Sequence, residues 1–143
     1  MRFSIAGGTR LSGTVRVSGA KNSVLKLMAM SLMANDQCVI RNVPRISDVE
    51  TMKGVIEELG ATVNWSGDTM MVTPPERLGT EAPEELVRGM RASIQVMGPL
   101  LAKVGEVHIV QPGGCSIGHR PIDFHLKGFR AMGAEVEERY GYV

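Results

Sequence analysis

The chain has 143 residues, of which 16 are lysine or arginine and 15 are aspartate or glutamate, so the formal net charge at pH 7 is +1. A chain of this length can bury the core of one compact domain, and so small a net charge excludes a global field that would hold nucleic acid or an acidic membrane surface. The N-terminal residues lack the apolar core of a signal peptide and no apolar run is long enough to span a bilayer, so we expect a cytoplasmic protein with neither nucleic acid nor membrane as a partner.

The first 17 residues alternate apolar side chains with polar residues or glycine. A period of two is typical of strands, so this pattern predicts a hairpin of two short strands joined through Gly7-Gly8. The alternating apolar residues are Phe3, Ile5, Leu11, Val15 and Val17.

Two helices are predicted next, over 24–33 and 47–59, because apolar residues recur there at helical spacing. Ser47 with Glu50 three residues later matches a capping box at the start of the second helix. Gly60 stands where a C-terminal cap belongs.

Strands are predicted between and after these helices. The apolar residues 38–40 indicate one strand, and 61–65 and 69–73 indicate a hairpin across a turn at 66–68. Cys38 lies in the first of these strands, so we expect it to be a core residue. The order of the unit is therefore helix, strand, helix, hairpin.

The second half of the chain repeats this order, with helices predicted over 92–104 and 121–132 and strands over 107–110 and 134–138. Two alignments support the repeat. Lys-Asn-Ser at 21–23 matches Arg-Ala-Ser at 91–93 with a shift of 70, and Leu-Gly-Ala-Thr-Val at 59–63 matches Met-Gly-Ala-Glu-Val at 132–136 with a shift of 73.

The difference between the two shifts places three extra residues in the loop 111–121. An enlarged loop on one copy of a repeat is typical of a functional loop. Cys115 lies in it between glycine-rich segments, with His119 and Arg120 close by, and such surroundings favour the reactive thiolate. The alternative is a small buried cysteine that only fills space, but the glycines favour exposure.

Lys21 and Asn22 stand at the start of the first helix, where backbone N–H groups, the helix dipole and an ammonium can together hold a phosphate. The alternative is a solvated helix start, and the spacing is not that of a Walker loop. Arg91 occupies the equivalent place in the second unit. The pair of positions indicates local binding of an anion.

The fourth helix is predicted to begin at Arg120-Pro121, and Asp123 can cap it or accept hydrogen bonds from a ligand. The histidines could be imagined as metal ligands or as part of a Cys-His-Asp hydrolase, but catalytic partners are seldom so local in sequence, so we treat them as structural or solvent-facing. They are His108, His119 and His125.

Four segments together resemble the UDP-N-acetylglucosamine 1-carboxyvinyltransferase family of enolpyruvyl transferases, and the resemblance extends over essentially the whole chain. The loop around Cys115 is its specific part. The segments are Ser-Gly-Ala-Lys-Asn at 18–22, Met-Arg-Ala-Ser at 90–93, Gly-Pro-Leu-Leu-Ala at 98–102 and Pro-Gly-Gly-Cys-Ser-Ile-Gly-His-Arg-Pro-Ile-Asp at 112–123.

The resemblance implies an α/β fold, an inverse α/β barrel of the enolpyruvyl transferase type built from repeated βαβαββ units. About two units are expected here, 21–73 and 91–143, in a partial barrel domain over 21–143. The opening strands, 1–20, are expected to pack with a second domain.

The resemblance also implies transfer of the enolpyruvyl group of phosphoenolpyruvate to the 3′-hydroxyl of UDP-N-acetylglucosamine, the first committed step of peptidoglycan synthesis. It implies neither a metal nor an organic cofactor. Cys115 resembles the general acid that protonates the methylene carbon of phosphoenolpyruvate, can form a covalent adduct with it and is alkylated by fosfomycin. Lys21 and Asn22 resemble contacts to phosphoenolpyruvate and the sugar. The residues that resemble the lining for the UDP-sugar and phosphate are Arg91, Arg120, Pro121, Ile122, Asp123 and Phe124.

The family continues well beyond this length, and the resemblance implies that its general base and further arginines come from later sequence. We therefore expect the chain to need the remainder of a longer protein for a complete site and to be inactive alone. Two alternatives stay open: a UDP-sugar-binding fragment without chemistry, and a relative of 3-phosphoshikimate enolpyruvyl transferase, against which the loop around Cys115 argues. A cysteine hydrolase is a third and poorer alternative.

Overall fold

The computed structural model describes residues 2–111 and 121–143. Within these ranges, no helix is both long and apolar enough to cross a bilayer. The elements in chain order are α1 (Lys21–Ser31), β1 (Cys38–Ile40), α2 (Ser47–Glu58), β2 (Thr62–Ser66), β3 (Thr69–Thr73), α3 (Glu84–Gly89), a 3₁₀ helix (Arg91–Val96), α4 (Met97–Val104) and α5 (Asp123–Ala131).

The first unit packs α1 and α2 against a three-stranded antiparallel sheet with the order β1-β3-β2. The predicted order of helix, strand, helix and hairpin is confirmed. Each large apolar side chain that is fully buried in this layer stabilises the fold by about 1.5–3 kcal/mol. The buried side chains include Leu25, Met28, Leu32, Val49, Met52, Ile56, Met70 and Val72.

Two local predictions in this unit are wrong. Ser47 is not a capping residue: the N-cap of α2 is Ile46, without a side-chain cap hydrogen bond, and the helix already includes Ser47. The acidic residues Asp48 and Glu50 in the first turn favour this helix start through the helix dipole instead. Cys38 is only half-buried rather than part of the core, because β1 is an edge strand of the sheet.

The second helix of each unit ends in the same way. Gly60 follows α2 with a φ of 102°, and Gly133 follows α5 with a φ of 96°. In both places the next residue donates its N–H over 3.0 Å to the carbonyl five positions back, and the glycine donates its own to the carbonyl three positions back. These are the two hydrogen bonds of a Schellman motif, which favours glycine at the left-handed position. The two motifs are related by the shift of 73 that the sequence predicts.

The strands predicted in the second unit are not formed. Residues 107–110 make only isolated bridges, His108 with Glu81 and Val110 with Tyr142, and residues 134–138 are without strand pairing in the described structure. A strand needs a partner for its backbone hydrogen bonds. The partner equivalent to β3 would begin at Tyr142, and the bridge between Tyr142 and Arg139 corresponds, at a shift of 73, to the first pair of the β2–β3 hairpin.

These equivalences support the interpretation of 21–73 and 91–143 as two copies of one unit, while the division into domains stays a prediction. The prediction of an opening hairpin, in contrast, is wrong, because residues 2–20 contain neither helix nor strand. Their alternating apolar side chains are 80–90% exposed, so the described part of the chain offers them no surface to pack on. That they pack with a second domain also stays a prediction.

The short helix α3 was not predicted, because only Val87 of its six residues is buried and no apolar period shows. It is tied to the second unit by the Tyr142 hydroxyl, which donates to Glu84 Oε2 over 2.7 Å. This hydrogen bond, together with the one from Arg88, holds the pKa of the Glu84 carboxyl below its usual value of 4.5. The same contact raises the pKa of Tyr142.

Replacing Tyr142 with phenylalanine is expected to lower the melting temperature slightly at neutral pH. The pKa of Glu84 in the folded state is below 4.5. Its contribution to the free energy of unfolding is therefore fully present above pH 4.5 and is lost as the pH falls through the lowered pKa. The difference between the two proteins should therefore shrink when the pH is lowered from neutral to well below 4.5. Thermal denaturation followed by circular dichroism at both pH values measures it.

The matched control for this prediction is Tyr140→Phe, since the Tyr140 side chain is 98% exposed. Its melting temperature should equal that of the unsubstituted chain at either pH. A Tyr142→Phe deficit that does not change with pH would contradict a role for the ionised Glu84 carboxylate.

Candidate functional site

A cleft of about 840 Å³ lies in the groove between α1 and the segment made of the 3₁₀ helix and α4. Its volume falls in the range of small-molecule sites, about 300–1,000 Å³. One end carries the basic and polar residues at the helix starts. Its apolar lining consists of Leu25, Ala29, Met30, Met33, Met90, Ala92, Ile94, Pro99 and Phe129.

The start of α1 presents Lys21 and Asn22 at this cleft. Ala20 is the N-cap in extended conformation, and its carbonyl accepts the N–H groups of Ser23 and Val24. The first turn of α1 contains no acidic residue, so its own side chains leave the positive end of the helix dipole unbalanced. An anion at this helix start would be stabilised.

The Lys21 ammonium makes an ion pair with Asp48, which also lines the cleft, and this pair was not predicted from the sequence. Lys21 Nζ lies 2.7 Å from Asp48 Oδ2 in the first turn of α2, with side chains 52% and 34% exposed. At this exposure the pair adds little stability. The ion pair matters for binding instead, because an anion that approaches Lys21 must compete with the Asp48 carboxylate.

Arg91 begins the 3₁₀ helix at the same cleft, in the position that corresponds to Lys21. Its Nη2 donates to the backbone carbonyl of Pro121 over 2.9 Å. Ser93 is fully buried and its hydroxyl donates to the carbonyl of Met90, with the carbonyl of Val87 3.3 Å away, which fixes the start of this helix. The guanidinium therefore joins the beginnings of the two helical segments of the second unit.

The structure brings together some of the predicted site residues and separates others. Lys21, Asn22 and Arg91 line one cleft, and Pro121 touches Arg91. Ile122 is buried in the core. Asp123 and Phe124 are exposed at the start of α5 and are not among the residues that line this cleft. The predictions for Cys115 and Arg120 lie outside the described residues.

Sequence reasoning missed several residues of the cleft. Lys26 lies one turn along α1 from Asn22. Asp48 comes from α2 and His125 from α5. His125 was expected to be structural or solvent-facing; it is exposed, but at the cleft. Among the described lining residues, three cations and one carboxylate leave two net positive charges when His125 is neutral. A cleft with this balance attracts anions.

The sequence model of the EPSP synthase (3-phosphoshikimate 1-carboxyvinyltransferase) family matches residues 5–143. The chain belongs to the EPSP synthase family. Similar curated proteins include the UDP-N-acetylglucosamine 1-carboxyvinyltransferase of Desulfosudis oleivorans, 49% identical over 99% of this chain and 34% of that protein. The UDP-N-acetylglucosamine 1-carboxyvinyltransferase 1 of Symbiobacterium thermophilum is 48% identical over 99% of this chain and 33% of that protein. The chain spans about a third of the length of the curated relatives it matches.

A solved structure of an enolpyruvyl transferase has the same fold. The enolpyruvyl transferase NikO from Streptomyces tendae superposes with a TM-score of 0.77 over 95% of this chain and 30% of its own, at 24% identity. Together with the family match, this confirms the predicted α/β fold of the enolpyruvyl transferase type. In this member of the EPSP synthase family, the cleft between α1 and α4 is where cationic side chains from two helix starts converge.

Proposed function

We propose that this chain forms the part of an enolpyruvyl transferase that binds phosphoenolpyruvate and UDP-N-acetylglucosamine. The observation that carries the proposal is the convergence of Lys21, Asn22 and Arg91 on one cleft whose described lining is net positive. Both substrates are anionic and repel each other. Fixed cations offset that repulsion and stabilise a phosphate-bearing intermediate with little reorganisation.

UDP-N-acetylglucosamine is the proposed acceptor because the curated relatives of this chain, 46–49% identical to it, are named for that substrate. The resemblance of the loop around Cys115 supports the same choice. Shikimate 3-phosphate is the second candidate, since the family model that matches the chain is named for it. The two acceptors differ in the presence of a nucleotide, so binding can separate them.

The proposed reaction adds the 3′-hydroxyl of the sugar to C2 of phosphoenolpyruvate. The hydroxyl proton passes to a general base, and C3 of phosphoenolpyruvate takes a proton from the Cys115 thiol. The resulting tetrahedral intermediate then loses phosphate from C2 and a proton from C3, which gives the enolpyruvyl ether and inorganic phosphate. Neither a metal nor a redox cofactor is needed to balance these steps.

The residue roles follow the same proposal. Lys21 and Asn22 contact phosphoenolpyruvate and the sugar, while Arg91, Arg120 and the segment 121–124 bind the UDP-sugar and phosphate. For Ile122, which is buried, a role through the backbone fits better than one through the side chain. The product would serve peptidoglycan synthesis in the cytoplasm, where the nucleotide sugar is available.

Binding and alkylation test the proposal on the 143-residue chain itself. We expect UDP-N-acetylglucosamine to bind in isothermal titration calorimetry and shikimate 3-phosphate not to compete with it. We also expect fosfomycin to add to Cys115, in peptide mass maps, more rapidly when UDP-N-acetylglucosamine is present. Cys38 is the internal control, because this half-buried thiol lies on β1 and is not among the residues that line the cleft.

Iodoacetamide separates the possible failures. Labelling of Cys115 by iodoacetamide but not by fosfomycin would show an accessible thiol whose site needs the remainder of a longer protein. Competition by shikimate 3-phosphate would transfer the proposal to the second acceptor. The absence of UDP-N-acetylglucosamine binding would contradict the proposed function of this chain.

A further inference from the structure

Two helical segments flank the cleft, and because the first residue of each lines it while Lys103 near the end of one contacts Leu32 at the end of the other, we infer that they run in the same direction. Both begin at the basic end of the cleft, α1 with Lys21 and the second segment with Arg91. Near the C-terminal ends of the two segments, Lys103 in the last turn of α4 reaches across to the end of α1. Its Nζ donates to the carbonyl of Leu32 over 3.1 Å and to that of Ala34 over 2.7 Å.

Parallel neighbouring helices place like ends of their dipoles side by side, which is unfavourable. At the C-terminal ends, α1 has no basic residue of its own in the last turn, whereas α4 has Lys103. One ammonium therefore lies in the last turn of one helix and donates to the carbonyl of the other helix's C-cap residue, Leu32, and to that of Ala34 just beyond it. In the first unit the position that corresponds to Lys103 at the shift of 70 is Met33, which has no ammonium. The contact therefore runs only from the second unit to the first, without an equivalent in the other direction.

We propose that Lys103 is a positioning residue for the anion-binding end of the cleft; this inference rests on the proposed function. A helix transmits a displacement along its length, and Lys21 lies roughly 16 Å from the end of α1 that Lys103 holds. Loss of the contact lets α1 slide or rotate against α4. The separation between Lys21 and Arg91, which must close on one anionic ligand, then changes.

The test compares Lys103→Met with Lys103→Arg in the 143-residue chain. Methionine keeps the length and apolar stem but cannot donate, whereas arginine can still donate to both carbonyls. We expect Lys103→Met to raise the Kd for UDP-N-acetylglucosamine about threefold or more, within the range found for residues that act at a distance. Lys103→Arg should restore most of the affinity.

Amide chemical shifts in nitrogen–proton correlation spectra supply the second measurement. Lys103→Met should move the amide signals of residues 21–24 and 91–93, which lie at the other end of the two segments. The matched control is Lys53→Met, which removes the 2.8 Å contact from Lys53 to Glu57 within α2 and should change neither the Kd nor these signals. If Lys103→Met is unfolded by circular dichroism, Lys103→Gln replaces it with the same expected direction.

Shift changes confined to residues around 32–34 and 103, or a Kd equal to that of the unsubstituted chain, would overturn the proposal and leave Lys103 a role in stability alone. If the unsubstituted chain binds no UDP-N-acetylglucosamine, the proposed function fails. In that case the amide shifts of residues 21–24 and 91–93 still decide whether Lys103 sets the positions of the two helix starts.

Discussion

Replacing Lys21 with methionine is expected to weaken phosphoenolpyruvate binding, measured with UDP-N-acetylglucosamine at saturation, by about tenfold or more. A hydrogen bond from a charged group contributes about 1.5–3 kcal/mol, and each 1.4 kcal/mol is about a factor of ten in Kd. The substitution acts twice. It removes the ammonium at the start of α1, and it leaves the Asp48 carboxylate in the cleft without the cation that now lies 2.7 Å from it.

The opposite substitution, Asp48→Asn, should strengthen binding of the same anion by about twofold to fivefold at low salt. The amide keeps the size of the carboxylate, but Lys21 no longer has to exchange one negative partner for another. Because both side chains are partly exposed, the gain should fall as the ionic strength rises from about 0.02 to 0.3 M. Titration calorimetry at the two salt concentrations measures both variants.

Lys53→Met is the control for both substitutions, since it removes a lysine that pairs with Glu57 on α2 and does not line the cleft. Its Kd should equal that of the unsubstituted chain. If Lys21→Met and Asp48→Asn shift the affinity in the same direction, the ion pair is acting only on the fold. The charge balance of the cleft would then not be what attracts the ligand.

The helices α1 and α2 could be predicted from sequence because their apolar side chains recur at one spacing and pack onto a single core. Leu25, Met28 and Leu32 show this for α1, and Met52 and Ile56 show it for α2. The strands of the first unit were predicted for a related reason, since their partners lie within the same short stretch of chain. Local pattern and local pairing agree in this unit, so local reasoning was sufficient.

The strand predictions that were wrong share one physical cause. A strand exists only when another strand accepts its backbone hydrogen bonds, and alternation alone cannot show whether that partner is present. The segment 134–138 alternates as β2 does, but in the described structure it pairs with no other strand. The opening residues also alternate and remain exposed.

The cleft was predicted in part, because the repeat places Lys21 and Arg91 at equivalent helix starts and the fold brings those starts together. The carboxylate that pairs with Lys21 in the cleft was not predicted. Asp48 looks like an ordinary first-turn carboxylate in the sequence, and only the packing of α2 on α1 turns it toward Lys21. Lys103 was missed for the same reason, since its acceptors lie 69 and 71 residues away along the chain.

Gly19→Ala is expected to reduce both stability and ligand binding. A Cβ at Gly19 would overlap the backbone carbonyl of Asn42. That carbonyl has little room to retreat, because Asn42 has a positive φ of 59° and the next residue, Val43, donates its N–H to Asp68 over 2.8 Å. The clash must therefore displace the segment that leads into Lys21. We expect a loss of about 1–3 kcal/mol in the free energy of unfolding, as for other overpacked sites.

Urea denaturation and titration with UDP-N-acetylglucosamine measure the two effects. The matched control is Gly128→Ala in α5, where a Cβ would meet nothing within 4 Å. Alanine is the better helix former, so this variant should gain about 0.5–1 kcal/mol and bind normally. Gly19 is outside the left-handed region of φ, so alanine there carries no conformational penalty and the expected loss is steric. A Gly19→Ala variant as stable as the unsubstituted chain would therefore contradict the close approach of the α1 entry to the loop at Asn42, which is the contact that fixes where Lys21 and Asn22 enter the cleft.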